Sequence, residues 1–254
     1  MKKNSVLIIN PVSSNIIKAI YNAIVINLLD IIILGDRTII YTLCKELNLD
    51  IEQLQIINLI EINDISFKIE EYIKINEIKG IIIDDNIDGN LIKKIKTKNI
   101  CNLVDYGVFL KSIFIIKYQN YNVLINNIKE TENIMRNLNI FNVKIGIVGN
   151  HKTEANNIKK ELRKNFNYKK IDIINESKIS NCKYNIIIFE DKMEEMIYLN
   201  NITNKVLVRR IEIKKASNVY IFDAKGKQFK NIFLQLLYLS KIDNLNNEIN
   251  TKII

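Results

Sequence analysis

The stretch IIILGD at residues 31–36 most constrains what this chain can fold into. Four consecutive branched apolar residues are typical of a strand buried on both faces, as in a parallel sheet. Gly35 and Asp36 end the strand, and the Asp36 side chain is suited to cap the helix that follows. Asn48 ends that helix, and a second apolar strand is predicted at residues 55–59. The pattern predicts a βαβ unit, the usual crossover between parallel strands.

The same alternation of short apolar strands and amphipathic helices continues along the chain. Strands are predicted at residues 6–9, 31–34, 55–59, 81–83, 100–103, 109–116, 143–148, 171–174, 185–189, 206–209 and 218–221. Helices are predicted at residues 16–27, 38–47, 65–76, 91–96, 123–138, 153–166, 193–199 and 227–240. The alternation predicts an α/β protein whose mostly parallel sheets are flanked by helices.

A break near residues 138–142 is the best candidate for a domain boundary. It divides the chain into an N-terminal α/β domain, residues 1–138, and a second α/β domain, residues 139–242. The last predicted helix can pack back on the first domain. Residues 243–254 are rich in asparagine and are expected to fray.

The formal net charge of +9 suits a nucleic-acid partner. The lysines, however, stand singly along the predicted helices, without an arginine-rich helix or a basic strand with interleaved aromatic residues. A coding bias toward A and T, which enriches isoleucine, asparagine and lysine, explains the charge more simply. We therefore expect neither a nucleic-acid nor a membrane partner.

Cysteine usage and the apolar segments both bear on location. The three cysteines, Cys44, Cys101 and Cys182, are far apart and odd in number, which favours free thiols in a reducing compartment. The apolar run at residues 6–9 is too short for a secretion signal. Residues 16–34 are about as long as a membrane span, but lysine, asparagine and aspartate interrupt them. A cytoplasmic location is expected.

Few side chains are candidates for chemistry. Asp84, Asp85 and Asp88 follow a predicted strand, at the end where open α/β sheets bind ligands. Three carboxylates this close can hold a divalent cation, yet the composition favours a solvated turn rich in Asp and Asn. They lack the full calcium-loop pattern, and no metal is assigned.

Cationic candidates lie in the second half of the chain. His151, the one histidine, follows a predicted strand in GNHKT, where it can act as a base or a phosphate donor or lie exposed in a loop. GNHKT lacks the G-x-x-x-x-G-K-[ST] spacing of a phosphate loop. Arg209 and Arg210 either clamp a phosphate at a strand end or form a solvated pair.

Three passages carry a resemblance to a known family: IIILGDRTIIYTLCKELNLDIEQLQIINL, IMRNLNIFNVKIGIV and NVYIFDAKGKQFKNIFLQLL. They resemble the opening unit, a helix-to-strand passage and the closing unit of the phosphate acetyl/butyryltransferase family. The resemblance implies a two-domain phosphotransacylase fold, similar to that of isocitrate and isopropylmalate dehydrogenases, with the active site in the cleft. It also implies acyl transfer between coenzyme A and phosphate, with acyl-coenzyme A and phosphate as substrates and no cofactor.

The departures from the family concern its phosphate site. Where the family has Lys-Gly after a strand, this chain has Asp84 and Asp85, whose negative charge repels phosphate. The family's Ser-Arg-x-Asp falls on Phe222, Asp223 and Lys225, so that an acid replaces the arginine that holds phosphate. The family's Thr-Asp, Asn-Pro-Lys and Asp-Gly-Pro signatures have no counterpart in this chain.

Residues that would line a ligand cleft follow the predicted strands: Gly35, Asp36, Asp84, Asp85, Gly149, Asn150 and Asp223. The first hypothesis is a diverged acyltransferase that recruits Lys225, His151 or Arg209 for the lost groups. The second is a non-catalytic relative, a pseudoenzyme that binds a ligand or a partner subunit, with a homodimer as one alternative. Because removing one transition-state donor costs roughly 3–4 kcal/mol, the loss of several favours the second hypothesis. A Rossmann-like nucleotide binder is disfavoured by the missing G-x-G-x-x-G.

Overall fold

The computed structural model describes residues 4–74, 78–84, 98–106, 111–137, 140–149, 152–168, 170–174, 184–190, 208–216 and 219–241. The strands are β1 (Ser5–Ile9), β2 (Asp30–Gly35), β3 (Gln55–Asn58), β4 (Gly80–Ile83), β5 (Lys98–Tyr106), β6 (Lys111–Lys117), β7 (Lys144–Val148), β8 (Lys170–Ile174), β9 (Ile186–Phe189), β10 (Val208–Ala216) and β11 (Val219–Asp223). The helices are α1 (Ser14–Val25), α2 (Arg37–Glu46), α3 (Ile62–Lys74), α4 (Tyr121–Asn137), α5 (Lys152–Asn165) and α6 (Phe229–Lys241).

Contacts between residues divide the chain into two compact units. Unit 1 consists of Met1–Asn99 and Ile213–Ile254, and unit 2 consists of Ile100–Glu212. The boundary expected near residues 138–142 lies inside unit 2, and the last helix, α6, belongs to unit 1 and packs on α1. The expected tail, residues 243–254, and the expected helices at residues 91–96 and 193–199 lie outside the described residues.

The sheet of unit 1 is almost entirely parallel. Its strands lie in the order β3-β2-β1-β4-β11-β10, and among the pairs formed by the described residues of this unit only β10–β11 is antiparallel. The prediction that residues 31–34, 55–59 and 81–83 form parallel strands of one sheet is confirmed, with β1 lying between β2 and β4. Ile33 is fully buried, as expected of a strand covered on both faces.

Helices cover both faces of this sheet. On one face, alternate residues of the central strands, including Leu7, Ile9 and Ile81, pack with Ile65 and Ile69 of α3. Gly80 points to the opposite face, where a Cβ at that position would come within 2.3 Å of Leu239 of α6. Helix α1 contacts both α2 and α6.

Unit 2 has the strand order β5-β6-β9-β7-β8. The β5–β6 pair is antiparallel, whereas β6, β9, β7 and β8 run parallel. Helix α4 contacts β6, and α5 contacts β7 and β8. The predicted α/β class, with mostly parallel sheets flanked by helices, is therefore confirmed. Among the described residues, none of the helices combines the length and apolar character needed to span a membrane.

Candidate functional site

The carboxyl ends of five parallel strands, β1, β2, β3, β4 and β11, lie at one edge of the sheet of unit 1. Ligands of open α/β sheets bind at such edges. The turns that directly follow these strands therefore lie at this edge, and their side chains are the candidates for ligand contact. Sequence reasoning placed candidate ligand residues at three of these strand ends: Gly35 and Asp36 at the end of β2, Asp84 after β4, and Asp223 at the end of β11.

Asp84 is the most buried charged side chain of this edge, with 3% of its surface exposed. Its Oδ2 accepts hydrogen bonds from the backbone N–H of Val12, at 3.0 Å, and of Ser13, at 2.8 Å. Its own N–H donates to the carbonyl oxygen of Ile9, at 3.1 Å. The carboxylate therefore accepts from the two consecutive N–H groups that lead into α1.

This position matters because backbone N–H groups at a strand-to-helix turn are a common site for anions. The Ser13 side chain makes no capping hydrogen bond, although Ser13 is the residue that precedes α1. Asp84 supplies the acceptor in its place. The chain thus fills, with its own carboxylate, a position that suits a bound phosphate.

At the start of α2, side chains of the protein itself also accept hydrogen bonds from the first backbone N–H groups. Asp36 caps the helix as predicted, with its Oδ1 accepting from the N–H of Thr38 at 2.7 Å. Asn58, which ends β3, accepts from the N–H of Arg37 through Oδ1 at 3.0 Å. Both N–H groups are engaged within the protein, and Asp36 has a structural role in capping.

Gly35 lies where the ends of β1 and β2 approach each other closely. A Cβ at Gly35 would come within 3.0 Å of Oδ1 and 3.3 Å of Cα of Asn10. Asn10 has a positive φ of 43°, a conformation that Asn tolerates better than most residues. The absence of a side chain at Gly35 therefore allows close packing, which does not require a ligand.

Asp223 and Lys225 form a turn at the end of β11. The Asp223 Oδ1 accepts from the N–H of Lys225 at 2.9 Å, and the Asp223 carbonyl oxygen accepts from the buried Gln235 Nε2 at 3.1 Å. Lys225 is exposed, and Gly226 follows it with a φ of 64°. The structure thus brings Lys225 to the edge that holds Asp84, while the Asp223 carboxylate folds onto its own turn.

Unit 2 also presents acidic side chains at the carboxyl ends of its parallel strands. Glu190 follows β9, and a Cβ at Gly149, which follows β7, would come within 2.3 Å of the Glu190 Oε2. Gly149 therefore has to lack a side chain for the Glu190 carboxylate to lie against it. This gives Gly149 a packing role in addition to the ligand role expected from the sequence.

At the same edge of unit 2, Tyr118 and Tyr121 lie beside a second acidic side chain, that of Glu154. The Tyr121 hydroxyl donates to Oε1 of Glu154 at 3.3 Å, and the rings of Tyr118 and Tyr121 meet edge to face. Burial, together with Glu154 and Tyr121, raises the pKa of Tyr118 well above its usual range, so its phenol stays protonated. Sequence reasoning missed these residues, although Glu190 directly follows a predicted strand and Tyr118 lies two residues after another.

Several sequence candidates cannot be placed in this geometry. Asp85, Asn150 and His151 lie outside the described residues. Arg209 lies in β10, but its side chain is outside the described set. Within the described ranges, no group of three or more His, Cys, Asp or Glu side chains is arranged to hold a metal ion.

Comparisons with known proteins identify the fold. No protein-family model matches the chain, and no curated protein matches it by sequence. Among solved structures, a phosphotransacetylase from Streptococcus pyogenes has a TM-score of 0.70 and 12% identity, with 96% of this chain and 94% of that chain covered. This chain has a phosphotransacylase-like fold.

Two other solved structures are similar to the chain over nearly its whole length. A branched-chain phosphotransacylase from Enterococcus faecalis V583 has a TM-score of 0.67 and 11% identity, covering 94% of this chain and 99% of that chain. The EutD phosphotransacetylase from Staphylococcus aureus has a TM-score of 0.66 and 11% identity, covering 94% of each. At these identities the likeness establishes the fold alone.

Proposed function

We propose that this chain is a distant, diverged relative of the phosphotransacylases that does not transfer acyl groups between coenzyme A and phosphate. The similarity of fold over nearly the whole chain supports the distant relationship. The proposed loss of acyl transfer is supported by a different observation: an acidic side chain of this chain binds backbone N–H groups that suit a phosphate.

The observation that carries the proposal is the buried Asp84 carboxylate on the N–H groups of Val12 and Ser13. Acyl transfer to phosphate needs cationic and backbone donors directed at charge that develops on the phosphate and the carbonyl oxygen. In this chain two consecutive backbone donors of the β1–α1 turn, the N–H groups of Val12 and Ser13, already bind the Asp84 carboxylate. A phosphate brought to this turn would also meet a buried carboxylate, and the two negative charges repel each other.

The alternative is an active, diverged acyltransferase that recruits Lys225, His151 or Arg209. The exposure of Lys225 at the carboxyl edge of unit 1 favours this alternative, because its amine can reach a bound anion. One lysine is a flexible point charge, however, and does not replace the rigid two-pronged geometry of an arginine on phosphate.

A coupled thiol-release assay tests the proposal. The protein is incubated with acetyl- or butyryl-coenzyme A in phosphate buffer, and a thiol reagent records free coenzyme A, with the Streptococcus pyogenes phosphotransacetylase as the active reference. We expect no release above the protein-free rate. Phosphate-dependent release would refute the proposal, and its loss in Lys225→Ala would identify Lys225 as the recruited cation.

Calorimetric titration with coenzyme A separates the two non-catalytic roles. Saturable binding without turnover would support a ligand-binding relative, whereas no binding would favour a subunit that acts through a protein partner.

Light scattering measures whether the chain forms a homodimer. We propose a cytoplasmic location on the basis of cysteine usage.

A further inference from the structure

A pocket of about 570 Å³ opens within unit 2, away from the edge that holds Glu190. It lies at the amino ends of β7 and β8, which begin at Lys144 and Lys170, and at the carboxyl ends of α4 and α5. Its volume is within the range of roughly 300–1,000 Å³ that is typical of small-molecule sites. Nothing in the proposed function above assigns a role to this pocket.

Aromatic rings form one side of the pocket. Phe166 and Tyr168 stack with their centroids 5.0 Å apart and 20° between the ring planes. Phe141 lies in the connection before β7 and keeps 70% of its surface exposed. An exposed phenylalanine at the mouth of a pocket gains free energy when an apolar surface covers it, and a flat ring covers it most completely.

Cationic side chains form the rim. Arg136, Lys144 and Lys170 line the pocket together with one carboxylate, that of Glu132. Among the described residues, neither Arg136 nor Lys144 has an ion-pair partner, whereas Lys170 lies 3.5 Å from Oδ2 of Asp172. Because Arg136 also offsets the partial negative charge at the end of α4, Lys144 is the cation most available to a ligand.

The uncharged polar groups complete the site. Burial and the neighbouring Glu132 carboxylate raise the pKa of Tyr168, so its phenol is neutral at physiological pH and adds no negative charge. Asn142 and Asn167 also line the pocket, and their amides carry both hydrogen-bond donors and acceptors. Such groups suit the edge of a heteroaromatic ring.

We propose that this pocket binds a nucleoside phosphate. The base lies against Phe141 and the stacked Phe166–Tyr168 wall, and Lys144, assisted by Arg136, holds the phosphate. One ligand of suitable size thus matches three features of the pocket: an exposed ring, cationic side chains and amide side chains. The assignment concerns unit 2 alone and does not depend on acyl transfer or its loss.

Calorimetric titration of the full chain with AMP tests the proposal, with adenosine and inorganic phosphate as fragments. We expect saturable AMP binding and weaker binding of either fragment. Phe141→Ala should raise the Kd for AMP at least about fivefold, the lower end of the loss for one stacking ring. Lys144→Ala should raise it about two- to fivefold and should reduce its dependence on salt.

Both variants change exposed side chains, so the fold is expected to survive, and matched controls lie elsewhere. Phe67→Ala removes a phenylalanine of α3 that is 72% exposed, and Lys160→Ala removes an exposed lysine of α5 that is not among the residues lining the pocket. Neither should change the Kd. The proposal is overturned if AMP does not saturate, if Phe141→Ala and Lys144→Ala leave its Kd unchanged, if phosphate alone binds as tightly, or if only an oligoadenylate binds.

Discussion

The buried Asp84 carboxylate lies at the turn between β1 and α1. The sequence identified it as an acid where phosphate would be disfavoured, and the structure adds what the carboxylate does. It accepts from the N–H groups of Val12 and Ser13, residues that lie 72 and 71 positions earlier in the chain. Local sequence contains no signal for such a partner, because the contact exists only when β4 pairs with β1.

The residue-scale prediction concerns that contact. Asp84→Ala leaves two N–H groups without their charged acceptor at a buried site, and should lower the free energy of unfolding by about 2–3 kcal/mol. Asp84→Asn keeps an oxygen acceptor and should lose about half as much. Urea denaturation followed by circular dichroism measures both, with Glu46→Ala, at an exposed position of α2, as the control. An Asp84→Ala variant as stable as the wild type would show that water replaces the carboxylate.

Asp36 illustrates what the sequence does predict at the residue scale. Its capping role follows from a local pattern, an Asp directly before an amphipathic helix, and its partner Thr38 is two residues away. Gly35 and Gly149 were expected to line a ligand cleft, and the structure adds that they pack closely against Asn10 and Glu190. Packing of this kind depends on neighbouring strands, so sequence spacing alone does not distinguish it from a ligand site.

At the scale of elements, the buried parallel strands were the most predictable feature. The runs that became β2, β4 and β9 are short, apolar and rich in isoleucine, and such runs favour strands covered on both faces. The two antiparallel pairs were not predicted as pairs. Pairing of β5 with β6 and of β10 with β11 depends on turn geometry and register, which hydrophobic periodicity does not specify.

The element-scale prediction tests the burial of β2. Ile33→Ala removes a fully buried side chain, and the cavity should lower the free energy of unfolding by about 2–5 kcal/mol. Ile60→Ala is the matched control, since Ile60 lies two residues after β3 and is 66% exposed, and it should change stability by less than about 0.5 kcal/mol. Urea denaturation of the three proteins in parallel provides the measurement. A loss below about 0.5 kcal/mol for Ile33→Ala would contradict the assignment of β2 as a covered strand.

At the scale of the whole molecule, the first and the last described segments of the chain pack together. Strand β11 pairs with β4, α6 packs on α1, and the Asn4 Nδ2 donates to the carbonyl oxygen of Leu239 at 2.9 Å. Periodicity and composition describe neighbours in sequence, and so they pointed to a boundary near residues 138–142. Contacts between segments 140 or more residues apart are set by tertiary packing, and they group residues 213–254 with the N-terminal part of the chain.

The last prediction follows from that grouping. A fragment of residues 1–138 lacks β11 and α6, so β4 loses its β11 partner and α1 loses its contacts with α6, in which Ile232, Leu236 and Leu239 are fully buried. We expect this fragment to lack a cooperative urea transition and to aggregate through the exposed edge of β4. A second protein, with residues 1–99 joined to residues 213–254 through a flexible linker, retains these contacts and should unfold cooperatively. Near-ultraviolet circular dichroism and urea denaturation compare the two, and a cooperative transition in the 1–138 fragment alone would contradict the structural division.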